Sequence, residues 1–216
     1  MPQTFTPTSV LLLKAAALLA CVLLLGSVPL ARWAMEPAAA RGAALGQPIP
    51  FSHQHHVGED GLDCRFCHAT VDRSAFAGMP STQTCLTCHS QLFVDAGVLA
   101  PLHASAATGR PIAWRRVHDL PDFVYFDHRI HVVKGVACQS CHGRVDRMPL
   151  MLRQAPLQMQ WCLGCHRDGG GHLRPLSDVY RMGDGRPLSA ADLRQLRRLL
   201  QIQGRERLQD CSSCHR

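Results

Sequence analysis

Ten of the eleven cysteines fall in five C-x-x-C pairs, and a histidine follows every pair at once. The pairs are Cys64/Cys67, Cys85/Cys88, Cys138/Cys141, Cys162/Cys165 and Cys211/Cys214, and the histidines are His68, His89, His142, His166 and His215. Thiols about one helical turn apart can form thioethers with the two vinyl groups of one porphyrin, while the next imidazole reaches the iron. C-x-x-C-H is therefore the attachment signal for c-type haem. An isolated C-x-x-C also suits half a zinc site or a redox dithiol. Neither of these needs histidine in the fifth position, and here all five pairs have it. The expectation is five covalently bound c-type haems, with those ten cysteines as thioether donors and those five histidines as proximal ligands.

That expectation constrains the fold. Beyond Ala31 each haem has about 37 residues, too few for a separate hydrophobic core around each. Aromatic residues make up 6% of the chain, and long strand-like runs are missing. The expected fold class is mostly α-helix and loop, with haems forming the core and short segments wrapped around them. The formal charge is +7 with a pI near 9.0. Five haems would add ten propionate carboxylates to that sum, so the arginine excess fits neutralisation of buried anions rather than nucleic-acid binding.

Residues 10–31 are mainly apolar with one charge, Lys14, and long enough for a membrane-spanning helix. A signal peptide is the rival, but small residues at −3 and −1 first appear well together at Ala38 and Ala40. A lipobox-like LLAC ends at Cys21, yet the apolar run continues past it. An uncleaved anchor over residues 1–33 is expected. Haem attachment occurs outside the bacterial cytoplasmic membrane, so the body belongs on the periplasmic face of that inner membrane, behind a single-pass anchor. Residues 34–50 contain eleven Ala, Gly or Pro and have the composition of a linker.

The body contains a repeat. Phe51-Ser52-His53-Gln54-His55-His56 and Phe126-Asp127-His128-Arg129-Ile130-His131 share F-x-H-x-x-H. C-x-x-C-H follows after seven residues in the first copy and six in the second. Val71-Asp72-Arg73 and Val145-Asp146-Arg147 then stand at identical offsets, and a second C-x-x-C-H closes each unit. This gives a first two-haem module at 51–92, a connector at 93–125 and a second two-haem module at 126–172. A C-terminal segment, 173–216, carries the fifth site. Two histidines three apart stand on one side of a helical turn. Trans ligands of one iron lie on opposite porphyrin faces, so the two must reach different irons. The four H-x-x-H histidines and His118 are the expected distal ligands. Met148, Met159 or Met182 could replace one of them, and His55, His103 and His172 suit solvent or propionate contacts.

These motifs resemble the cytochrome c3 type of multihaem cytochrome. HDLPDFVYFDHRIHV and WCLGCHR, with the anchor and five haem sites, are similar to the pentahaem subunit of alternative complex III, a bacterial quinol:electron-acceptor oxidoreductase. The resemblance covers nearly the full length. It implies as partners an iron–sulfur subunit, polytopic quinol-binding membrane subunits, and a monohaem cytochrome c or terminal oxidase as acceptor. From the c3 type it also implies that His53 serves the haem on Cys64/Cys67 and His128 the haem on Cys138/Cys141.

Such a chain carries electrons and is not an enzyme by itself. A haem enzyme such as a nitrite reductase needs an open iron position. Eight histidines compete for five such positions here, and no motif replaces histidine by lysine. A NapC/NrfH-type quinol dehydrogenase is the alternative. Near the C-terminus Leu188–Gln203 reads as a helix with a Ser189/Asp192 capping box. Its stripe is Leu193, Leu196, Leu199 and Leu200, opposed by Arg194, Arg197 and Arg198.

Overall fold

The structure is a computed structural model that describes residues 6–35, 42–185 and 187–215. Residues 1–5 of the expected anchor and 36–41 of the expected linker lie outside the described residues. The N-terminal helix, Pro7–Met35, has 29 residues, about 44 Å at 1.5 Å per residue. Its stretch Pro7–Arg32 has a mean hydropathy of 2.4, and none of it is buried against the rest of the chain. Leucines such as Leu11, Leu18 and Leu24 point outward all round it. A helix that is apolar on every side has no use for water; this one is long enough to cross a membrane, as an anchor or a signal sequence would be.

The body is built from short helices and loops. Among the described residues there is no strand, only an isolated antiparallel bridge between Val136 and Leu173. Side-chain cores are small. Ile49, Leu99 and Leu102 form one with Cys85, Leu86 and Trp114 packed against it. Val71, Val132 and Val179 form the other, with Cys138 and Tyr180 alongside. Ile49 belongs to the expected linker, so the end of that segment docks on the body. Gln47 adds two hydrogen bonds with the Arg115 backbone, at 2.9 and 3.0 Å. The connector also folds: its helix Ala100–Thr108 packs on the helix Thr82–His89, with Thr82 and Ser105 hydroxyls 2.6 Å apart.

The two repeats interlock reciprocally. Gln54 N donates to Met148 O at 3.0 Å, and Arg129 N donates to Ser74 O at 3.3 Å. Gln54 and Arg129 occupy the same place in F-x-H-x-x-H. Met148 and Ser74 each follow the Val-Asp-Arg of the other module. Each ligand segment is thus seated on the other module, as in an isologous dimer joined into one chain. Val71 and Val145 are both buried.

The unequal spacing has a local cause. The second ligand segment is the α-helix His128–Val133, whereas the first is a wider π-type turn, Gln54–Glu59, with Asp60 N bonded to His55 O. A π-type turn takes up one extra residue, and such turns gather at functional sites. The chains then realign: Leu62 N donates to His56 O and Val136 N to His131 O, both at 2.9 Å. Gly61 and Gly135 precede these donors with φ of 71° and 76°, a conformation that glycine adopts without strain.

The C-terminal helix is Ala190–Leu199, opened by the Ser189/Asp192 capping box. Its apolar stripe is narrower than the period suggests. Leu199 is 70% exposed, while Arg197 is half-buried on the same side as Leu193 and Leu196. The helix ends at Leu200, whose carbonyl accepts from Lys134 Nζ at 2.8 Å, so the last turn faces the second module through its backbone.

Candidate haem-binding sites

All five C-x-x-C-H motifs start on helical turns, which set their thiols on one side. Cys64–Cys67, Thr82–His89, Gln139–His142 and Met159–Asp168 are α-helical, and Cys211–Ser213 is a 3-10 turn. Asp63, Ser81 and Asp210 cap three of these turns through side-chain bonds to Arg65 N, Thr84 N and Ser212 N. No disulfide joins any of the cysteines. Among the described residues no three His, Cys, Asp or Glu side chains converge as ligands of one ion.

The ten candidate thioether donors differ in exposure. Cys88 is exposed, as is Cys211, whereas the other eight donors are half-buried. For Cys88 the cause is the helix Thr82–His89. Its Cys85 packs against the small core of Ile49, Leu99 and Leu102. Cys88 stands one turn further on, where the helix ends and its carbonyl accepts from Gln91 N and Leu92 N in an exposed loop. Cys88 therefore sits at the rim of its site rather than in the core.

A metal–imidazole bond is about 2 Å and the ring centre lies about 1 Å further, so trans imidazoles hold their ring centres about 6 Å apart. Three pairs have this separation: His56 with His89 at 6.2 Å, His128 with His142 at 6.3 Å, and His131 with His166 at 6.2 Å. In each pair one ring comes from an H-x-x-H and the other from a C-x-x-C-H. His53 and His68 are electrostatic neighbours.

The ring orientations repeat between modules. Phe51 meets His53 edge-on at 4.9 Å and stacks on His56 at 4.4 Å, tilted by 23°. Phe126 meets His128 edge-on at 4.8 Å and stacks on His131 at 4.5 Å, also tilted by 23°. The phenylalanine braces both ligands of its segment.

Hydrogen bonds fix which nitrogen is free. The Nδ1 atoms of His56, His68, His89 and His128 donate to the carbonyls of Ser52, Gly78, Leu92 and Ala75 at 2.7–3.1 Å. Those of His131, His166 and His215 donate to Asp127, Leu208 and Phe123 at 2.7–3.1 Å. In this tautomer Nε2 carries the lone pair and can bind metal, the usual arrangement behind a ligating histidine. Burial pushes the pKa of His53 down to about 4, with His68 and His56 adding to the effect. Burial, then His118, His128, His68 and His53, take His142 to about 3. Burial also lowers that of His131. These imidazoles are neutral, as ligation requires, and the donor set fits haem.

His118 stands elsewhere. Its ring lies 4.3 Å from that of His142, closer than trans ligands stand, and its Nε2 is buried without a hydrogen-bond partner. The ring stacked on His215 is that of Phe123, at 6.0 Å. His55 is exposed and bonded to Glu59 and Asp60, which raise its pKa. His172 is exposed. His103 is half-buried, with Nε2 unpartnered. Met148 is buried, Met159 is 59% exposed, and Met182 lies near Cys64 and Tyr180. Sequence reasoning missed the carbonyls of Ala75, Gly78, Leu208 and Phe123 that orient the histidines. A backbone acceptor has no residue signature, so no local signal could have found them.

Three imidazole pairs at this separation, each with one ring from a C-x-x-C-H turn, are an arrangement that suits a multihaem c-type cytochrome. Residues 124–216 match the family model described as cytochrome c7 and related cytochrome c. The chain is also similar to the menaquinone reductase, multiheme cytochrome c subunit, of Nitratidesulfovibrio vulgaris (strain Hildenborough), with 37% identity over 102 residues. That alignment covers 47% of this chain and 48% of the relative, so the chain spans about half the length of the curated relative it matches.

Proposed function

We propose that this chain is a membrane-anchored pentahaem cytochrome c that relays electrons within a quinol:acceptor oxidoreductase of the alternative complex III type. The observation that carries this reading is the set of imidazole pairs at 6.2–6.3 Å, each with Nδ1 of its H-x-x-H histidine tied to a backbone carbonyl. Bound haem supplies reversible one-electron chemistry at iron. The chain's residues hold the geometry. The ten cysteines, exposed Cys88 included, attach the five groups, and His68, His89, His142, His166 and His215 ligate from the proximal side. His53, His56, His128 and His131 ligate four of them from the distal side. His118 is not carried over as the fifth distal ligand, because it sits against His142. The carbonyl bonds keep the seven rings that make them from turning, which would hold those ligands in place around bound haem.

The Pro7–Met35 helix anchors the body on the periplasmic face of the bacterial inner membrane in this proposal. The partners are an iron–sulfur subunit, polytopic quinol-binding subunits, and a monohaem cytochrome c or terminal oxidase as acceptor. The name of the Nitratidesulfovibrio relative supports a place in a quinone-linked membrane complex. The test is affinity isolation of the full chain from its native membrane, with a pyridine haemochrome assay and mass spectrometry. Five haems per chain with co-isolated iron–sulfur and polytopic subunits support the reading. Fewer than five haems overturns it. An isolated subunit that oxidises quinol unaided would favour the NapC/NrfH type.

A further inference from the structure

The order of the attachment sites in space is not their order along the chain. We infer that they stand as Cys85/Cys88, Cys64/Cys67, Cys138/Cys141, Cys162/Cys165 and Cys211/Cys214. This order rests on the five-haem reading above and goes beyond it, because it says which site touches which and where the row ends.

Each junction has its own contacts. The first joins the two sites of the first module, because one turn carries both His53 and His56. His56 faces His89 at 6.2 Å, while His53 neighbours His68. The Cys67 thiol lies within electrostatic reach of Cys85.

The second junction crosses between modules and breaks the chain order. The Cys64 and Cys138 side chains are close neighbours. Residues 179–180 pin both: Cys138 N donates to Val179 O at 3.1 Å, and the Cys64 thiol lies 3.9 Å from Tyr180 O. His142 has His68 and His53 as electrostatic neighbours. The reciprocal bonds Gln54 N to Met148 O and Arg129 N to Ser74 O hold this junction closed. The Cys85/Cys88 site packs beside the Ala100–Thr108 helix.

The third junction repeats the first, with His128 facing His142 and His131 facing His166. The fourth ties the C-terminal site to its neighbour. His166 Nδ1 donates to Leu208 O at 2.7 Å and Arg167 Nε to Gln209 Oε1 at 3.3 Å, and Cys162 lies near Cys214. The row therefore ends at Cys85/Cys88 and at Cys211/Cys214. The two exposed donors, Cys88 and Cys211, belong to these two end sites. An electron entering at one end leaves at the other, and the internal step between the Cys64/Cys67 and Cys138/Cys141 sites is common to every crossing.

The test uses the full haem-loaded chain with His56→Met or His53→Met. Methionine as an axial ligand raises the potential of its haem above that of bis-histidine neighbours. In a redox titration followed by electron paramagnetic resonance, the altered haem is reduced first, and its neighbours report the change. With His56→Met one remaining ferric signal should shift; with His53→Met two should shift. Two shifts for His56→Met and one for His53→Met would mean that the sites follow chain order, and would overturn the inference. Should a variant lose a haem, the unaltered protein decides. In its fully reduced form, proton cross-peaks between the haems on Cys64/Cys67 and Cys138/Cys141 support the order, and cross-peaks between those on Cys85/Cys88 and Cys138/Cys141 overturn it. Fewer than five haems in the unaltered chain would overturn the order and the pentahaem reading together. Five haems with the wrong couplings would overturn the order alone.

Discussion

Gly58→Ala puts the interlock of the two modules to a quantitative test. Gly58 lies in the π-type turn Gln54–Glu59, and a Cβ built there would collide with the carbonyl oxygen of Asp146 in the other module. The obstacle is backbone, so no rotamer change relieves it. The turn must lift away, which stretches the Gln54 N to Met148 O bond of 3.0 Å. Overpacking a tight contact costs about 1–3 kcal/mol, and a lost backbone hydrogen bond about 0.5–1.5 kcal/mol. Against these, Gly→Ala lowers unfolded-chain entropy and returns about 0.4–1 kcal/mol. The net is about 2–3 kcal/mol of destabilisation. For a body of this size that corresponds to roughly 4–12 °C in thermal midpoint, read by circular dichroism on the holoprotein. Gly97→Ala is the control, since nothing lies within 4 Å of its Cβ position. A Gly58→Ala midpoint within about 2 °C of the control, with unchanged haem spectra, would refute the reciprocal packing.

Replacing His131 by Ala should leave five haems attached and turn one of them high-spin, because the ring facing His166 at 6.2 Å is lost; five low-spin signals would show that His131 is no ligand. His118→Ala should leave the spin state of every haem unchanged, since His118 packs 4.3 Å from His142 rather than across an iron from it; a new high-spin haem by magnetic circular dichroism would contradict that. Acid should spare ligation until low pH. The pKa values of His53 and His142 are about 4 and 3, below the ordinary 6.5, so between those values the unfolded chain binds protons that the folded one refuses. Stability therefore rises with pH across that window and falls as pH drops through it. Iron competes with the proton in the same sense, so the low-spin spectrum should persist at pH 5, and high-spin haem at pH 6 would mean these rings are not buried. Replacing the Pro7–Met35 helix by a cleavable signal peptide should release the body from membranes without loss of haem, as fractionation and a haem stain will report.

Much of the site was legible because its motifs are local. F-x-H-x-x-H and C-x-x-C-H each fit within one or two turns, so spacing alone shows which side chains can share a face. The Ser189/Asp192 capping box is of the same kind. The seven-against-six spacing hinted at an irregularity, and the wider turn at Gln54–Glu59 absorbs it. What sequence did not show depends on contacts between distant residues. His118 precedes the second module closely enough to suggest a ligand, but its neighbour His142 is reached only through folding. Cys88 has the same motif as the other donors, and its exposure follows from where its helix ends on the body. Leu199 continues the apolar period of its helix, yet the helix stops there and the residue stays in solvent. The seats of Gln54 and Arg129 are carbonyls, which any residue can offer.

The reciprocal seating also governs how the protein is made. If the body is exported as proposed, the N-terminal module would emerge first and its four cysteines could accept haem at once. Its ligand segment still lacks the Met148 carbonyl, and its Ser74 and Ala75 carbonyls still lack Arg129 and His128. Neither half can reach its final form until residue 148 has emerged. In that reading maturation would end in a single late closure, with the first two haems held in a half-built frame until then. A chain truncated between the modules would export and attach, yet its ligand turn would have no seat.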